Sequence, residues 1–173
     1  LTSLNLYGDD GLDDFGTPAS PIRPSSTVEL NINGGIPTPG GTPTQDTVGD
    51  RLQLDMSLTT GPVIVSTTGG LATSNSHRDV NFVDIEDINL VDEGSLTPIQ
   101  MGNLYLRASD TNDYIVLSSL SATDDGLVRF RFNNTIQTIQ LGSGIVIHGG
   151  GGDDRINHYT ARLPATYFGG DGN

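Results

Sequence analysis

Ile145-Val-Ile-His-Gly-Gly-Gly-Gly-Asp-Asp-Arg-Ile156 is the stretch on which the reading of this chain turns. Three apolar residues and a histidine run into four glycines, and two aspartates then lead back to an apolar residue. Glycine supplies the positive φ angles that tight turns demand, and aspartate bonds readily to its own backbone. The phrase therefore predicts a strand, a turn and a second strand. It also recurs: Leu4-Asn-Leu-Tyr-Gly-Asp-Asp-Gly-Leu-Asp-Asp-Phe15 aligns on it without a gap, and Tyr167-Phe-Gly-Gly-Asp-Gly-Asn173 repeats its start. Gly149 and Gly169 lie 20 residues apart, about the length of one solenoid coil.

Outward from these turns, short apolar runs recur along the chain, each bounded by Gly, Pro, Asn or Asp. Val28, Leu30 and Ile32 alternate with Glu29, Asn31 and Asn33, the period of a strand with one buried face. Val128, Phe130 and Phe132 likewise oppose Arg129 and Arg131, and Asn133-Asn134 suits the tight turn of a hairpin returning through Thr135 to Leu141. Helix formers are scarce, with 6 alanines against 23 glycines, 19 threonines, 14 serines and 9 prolines. The composition predicts an all-β chain. Residues 36–49, rich in proline and glycine, read as a surface loop, residues 67–79 as a polar link between strands, and Asp124-Asp125-Gly126 as a hairpin turn. Two parts are expected: residues 1–90, strand-rich with a Gly/Asp turn at 8–16, and residues 91–173, solenoid-like with turns at 149–157 and 169–173. One continuous domain is the alternative.

Eighteen aspartates and three glutamates face eight arginines and no lysine, a formal charge of −13. Such a chain repels phosphate backbones, so nucleic acid is not an expected partner and divalent cations are. No apolar run reaches the roughly 18 residues of a membrane span, and Leu1 to Tyr7 lacks the basic start and apolar core of a signal peptide. The absence of cysteine excludes a disulfide framework and a thiolate site. Opening on Leu and stopping inside a turn-like phrase, the chain reads as a piece of a longer polypeptide.

Gly149 to Asn157 fits the nonapeptide G-G-x-G-x-D-x-U-x, where U is a large apolar residue, at every specified position. In this it resembles the calcium-binding β-roll of repeats-in-toxin proteins. Gly169 to Asn173 fits as far as it runs, Gly8 to Gly16 fits with Asp9 in place of the second glycine, and Asn112-Asp113-Tyr114-Ile115 keeps the tail of the pattern. The remainder is similar to the modular surface proteins of planctomycete-type bacteria, in which Gly/Asp turns alternate with strand-rich spacers, and Val80 to Leu90 resembles a phrase that closes such a spacer. The resemblance implies solenoid-like or β-helix coils with a strand-rich, sandwich-like spacer. It also implies bound Ca2+, with Asp154 as the carboxylate ligand, Gly150 and Gly152 offering carbonyls, Asp153 and Asp171 beside them, and Ile156 anchoring the turn in the core. Asp13, Asp10 and Gly11 take the corresponding places in the first turn, with Phe15 as its anchor.

The physical case for a cation is independent of that likeness. Ca2+ wants about 6–8 oxygen ligands, and glycines let successive carbonyls converge on it. Two carboxylates about 4 Å apart repel by roughly 4 kcal/mol at an effective dielectric of 20, so Asp9, Asp10, Asp13 and Asp14 in one turn call for a counterion. His77, His148 and His158 show no metal-ligand spacing and read as packing residues. No G-x-S-x-G elbow, phosphate loop or H-E-x-x-H is present, so no catalytic residue is expected. Asn133-Asn134-Thr135 fits a glycosylation sequon but reads as the hairpin turn. The sequence thus predicts a secreted or cell-surface structural or adhesive repeat module, stabilised by Ca2+ and stacking on neighbouring copies of itself. The alternative is a polysaccharide-binding module, or a lyase-like β-helix, of an exported enzyme. Its expected row of aromatics is not evident, since Tyr7, Tyr105, Tyr114, Tyr159 and Tyr167 form no stripe.

Overall fold

A computed structural model describes residues 1–8, 12–35, 49–59, 61–92, 95–119, 127–140, 143–159 and 164–171. Among them the chain is all-β, with strands β1 (Ser3–Tyr7), β2 (Asp14–Phe15), β3 (Glu29–Asn33), β4 (Arg51–Asp55), β5 (Val63–Ser66), β6 (Leu71–Ser74), β7 (Val80–Val83) and β8 (Asp87–Asp92). Then follow β9 (Ser95–Ile99), β10 (Asn103–Arg107), β11 (Tyr114–Ser119), β12 (Leu127–Phe132), β13 (Thr135–Gln140), β14 (Gly144–His148), β15 (Arg155–His158) and β16 (Ala165–Phe168). The chain divides into two compact units, one of residues Leu1–Thr59 and Gly70–Met101, the other of Thr60–Gly69 and Gly102–Asn173.

In the first unit β1, β3 and β7 run parallel, placing Leu6 beside Ile32 and Ile32 beside Phe82, and β6 pairs antiparallel with β7. A second ladder aligns β2, β4 and β8 in parallel, with Phe15 beside Leu52 and Leu52 beside Ile88, and β9 antiparallel to β8. The alternation read in β3 holds, Leu30 and Ile32 being buried. Pro98 sits in β9 at the margin of its sheet, where a missing N–H costs no ladder bond. The stretch 67–79, expected as a polar link, holds β6. Leu71 and Ala72 pair with Asn81 and Val80, and the buried Ala72 gives even this polar segment an inward side.

In the second unit β10, β14 and β16 are parallel with β5 antiparallel to β10, while β11 is parallel to β15 and antiparallel to β12, which pairs with β13. Ile64, Leu104, Leu106, Ile115, Leu117, Phe130, Ile145 and Ile147 form one buried cluster, with Ile156 packed against it as the predicted anchor. Burying each such side chain stabilises the fold by roughly 1.5–3 kcal/mol. The predicted hairpin is present: Val128, Phe130 and Phe132 point inward, Arg129 and Arg131 outward, and Asn133 turns the chain at a φ of 51°. The expectations for 36–48 and 124–126 fall outside the described residues.

In both units a short turn carries the chain from one sheet to the other: residues 84–86 in the first, 108–113 and 149–154 in the second. In the second unit the flanking strands are in parallel register, so the turns 108–113 and 149–154 lie over one another.

Candidate functional site

The stacked turns share one device. In the second unit Asp113 closes its own turn: its Oδ2 accepts from Ser109 N–H at 2.8 Å and from Ser109 Oγ at 2.7 Å. Its Oδ1 accepts from Asn133 Nδ2 at 2.8 Å. Asn133 reaches it from the β12–β13 hairpin and also accepts from Tyr114 N–H at 2.7 Å. Asp113 is therefore a buried carboxylate with three donors. Its amide in turn donates to Oδ1 of Asp154 in the turn above, at 2.9 Å.

The turn 149–154 lies directly on that backbone. Gly151 N–H donates to Ser109 O at 3.2 Å, Asp153 N–H to Asn112 Oδ1 at 2.9 Å and Arg155 N–H to Asp113 O at 2.8 Å. Gly150 and Gly152 both have positive φ, and a Cβ on Gly150 would overlap Ser109 O. Four residues before Asp113 stands Ser109; four before Asp154 stands Gly150, which brings no hydroxyl. Oδ2 of Asp154 is buried with no hydrogen-bond partner. Burial pushes the Asp154 carboxyl above the ordinary carboxylate range, and the charges of Asp113 and Asp153 add to that against the pull of the Asp113 amide.

The first unit repeats the column with other residues. Asp13 N–H donates to Asp50 Oδ1 and Asp50 N–H to Glu86 Oε2, both at 2.8 Å. Glycine is required beneath these carboxylates, because a Cβ on Gly8 would meet Asp13 Oδ2 and one on Gly34 would meet Asp50 Oδ2. Asp13 thus joins a ladder in which the carboxylates of Asp50 and Glu86 receive the amides of Asp13 and Asp50. Asp10 and Gly11 lie outside the described residues.

The predicted residues of the last two turns come together in part. Gly150 O accepts from Asp171 N–H at 2.9 Å, and Gly151 and Asp171 form a parallel bridge, which stacks the turn at 169–171 on the one at 149–154. Asp153 and Asp171 are exposed beside it. Among the described residues no group of three His, Cys, Asp or Glu side chains is placed to hold one ion. A cation at Asp154 would accordingly draw on that one carboxylate, turn carbonyls and water.

Asp50, Glu86, Ser109 and Asn133 were not singled out by sequence reasoning for this role. A signal exists for the acids: Asp13, Asp50, Glu86, Asp113 and Asp154 each stand two residues before Phe15, Leu52, Ile88, Ile115 or Ile156. Two of the histidines serve packing and hydrogen bonding, while both ring nitrogens of His77 are buried without a hydrogen-bond partner. His148 stacks on Phe168 with centroids 4.4 Å apart, and His158 Nδ1 lies 2.6 Å from Tyr167 Oη. Of the tyrosines, Tyr105 is buried while Tyr7, Tyr159 and Tyr167 are exposed. No protein-family model, curated protein or solved structure matches the chain.

Proposed function

We propose that this chain is a structural or adhesive module of an exported surface or fibre protein. Its coils are solenoid-like with a strand-rich, sandwich-like spacer, and its Gly/Asp turns are stiffened by Ca2+. Parallel strands in register, joined by turns that lie over one another, are what a chain winding repeatedly about one axis generates, and this supports the coil reading. The observation that carries the metal is Oδ2 of Asp154, a buried carboxylate oxygen without a donor in a turn of glycines. A buried carboxylate oxygen left without a donor is costly, and a hard cation removes that cost while tying local folding to the ion. Asp154 would hold it together with carbonyls of the glycine turn.

The test is thermal unfolding followed by circular dichroism in EGTA and in millimolar Ca2+. Calcium modules of extracellular type bind at about 10⁻⁴–10⁻³ M. Calcium at roughly ten to a hundred times Kd would add about 1.4–2.7 kcal/mol, reversed by EGTA. The Asp154→Asn variant should lose that response while keeping the Oδ1 acceptor for Asp113. Without calcium it should melt no earlier than the parent, having exchanged a half-buried carboxylate for a neutral amide. Identical melting of the parent chain with and without Ca2+ removes the metal from the account.

A further inference from the structure

β1 forms the margin of its sheet, and among the described residues its strand partner is β3. Glu29 N–H donates to Thr2 O at 3.0 Å and Gly8 N–H to Asn33 O at 2.8 Å, so the even-numbered residues turn their backbone groups toward β3. By alternation the N–H and C=O groups of Ser3, Asn5 and Tyr7 point away from the sheet. Natural margins are usually guarded by charge, proline, a bulge or a covering segment. Here residues 1–8 contain no charged residue and no proline, in a chain carrying 29 charged side chains. Leu4 and Tyr7 are exposed at 44% and 74%.

The side chains along this margin are also unfinished. Asn5, Asn31 and Asn81 form a column across β1, β3 and β7: Asn81 Nδ2 donates to Asn31 Oδ1 at 2.9 Å and Asn31 Nδ2 to Asn5 Oδ1 at 3.0 Å. Asn5 ends the column with its own Nδ2 open at the margin. On the opposite face Leu6, Ile32 and Phe82 make an apolar row that stops at β1.

We infer that β1 is a homotypic interface, pairing antiparallel with β1 of a second copy about a two-fold axis through Asn5. The five residues are self-complementary about that centre. Asn5 meets Asn5 of the second copy and Ser3 meets its Tyr7, so the outward N–H and C=O groups are satisfied in reciprocal pairs. Leu4 meets Leu6 of the second copy, which extends the apolar row, and the asparagine column continues across the axis. The uncharged margin lets two chains of charge −13 approach without like charges meeting. Five residues bury far less than the roughly 1,200–2,000 Å² of a stable complex, so the association is reversible. This deepens the structural-module reading, on which the choice of a second copy as partner rests.

Sedimentation velocity over a hundredfold range of concentration tests it. The weight-average mass of the parent chain should climb toward twice the monomer. Asn5→Lys, which sets two like charges face to face at the axis, should weaken association at least tenfold, and Leu58→Lys, at another exposed apolar residue, should leave it unchanged. The chain has no cysteine, so Asn5→Cys should form a disulfide-linked dimer under mild oxidation well ahead of Leu58→Cys. Circular dichroism verifies that each variant folds. A parent chain monomeric throughout, an Asn5→Lys variant that associates like the parent, or equal cross-linking of both cysteine variants overturns the interface. Each run is made in EGTA and in Ca2+: association without a calcium-dependent melt sinks the metal alone, and a calcium response in a strictly monomeric chain sinks this interface alone.

Discussion

The turns 108–113 and 149–154 lie one on the other, end in an aspartate at the same position, and differ in what surrounds that carboxylate. Asp113 is closed by Ser109 and Asn133 and needs nothing further. Asp154 has the amide of Asp113 on one oxygen and nothing on the other. The residue four positions earlier differs too, a serine whose N–H and hydroxyl both donate in one turn and a glycine in the other. The same acid is thus closed on both oxygens in one turn and on a single oxygen in the other.

The harshest way to break this comparison is Asp113→Ala. It strands the Ser109 and Asn133 donors and should cost about 3–5 kcal/mol in urea unfolding, equally with and without Ca2+. A loss confined to calcium-containing buffer would make Asp113 a metal ligand instead. A milder change sharpens it: Ser109→Ala removes the hydroxyl from the lower turn, should cost about 1 kcal/mol, and should enlarge the calcium-induced rise in melting temperature. An unchanged calcium increment would show that the missing hydroxyl is not what opens a turn to an ion.

The smallest effect is in the pH dependence, where one carboxylate from each unit carries opposite signs. Burial raises the Asp154 carboxyl, so without metal the native state holds its proton longer than the unfolded chain, and stability falls as pH rises through that raised value. Asp55 is the reverse. Burial pushes it up, but hydrogen bonds from Ser57 and Arg23 and the Arg23 charge outweigh this and hold it below the ordinary value near 3.8. Its contribution is complete above that ordinary value and is lost as pH falls through the lowered one. Melting temperature against pH in EGTA should therefore lose its high-side slope in Asp154→Asn and part of its acid-side slope in Arg23→Ala. If Ca2+ left the high-side slope of the parent chain in place, the ion would not be bound at Asp154.

Much of the fold was legible because it rests on local rules. Alternation in Val128 to Phe132 and the Asn133 turn predicted the hairpin, since side-chain period and backbone φ are set within a few residues. The turn at Gly149 to Asp154 was legible for the same reason. The rest was not, because pairings between distant segments leave no local trace. Nothing within Val63 to Ser66 indicates that it lies against Leu104 to Arg107, and nothing in Asn133 indicates that its amide closes a turn 20 residues away. Residues 67–79 were misread for this reason, their strand character coming from β7 rather than from their own polar composition.

By itself, then, the sequence determined the all-β class, the positions of the bends and the acidity concentrated there, because glycine, aspartate and a two-residue period act over short range. Only the tertiary structure decided which acids are occupied. Whether Asp113 or Asp154 retains a bare oxygen depends on donors brought from the level below, from a hairpin tip and from the residue four places earlier, and hydrogen bonds are satisfied only where the folded backbone carries both partners within about 3 Å.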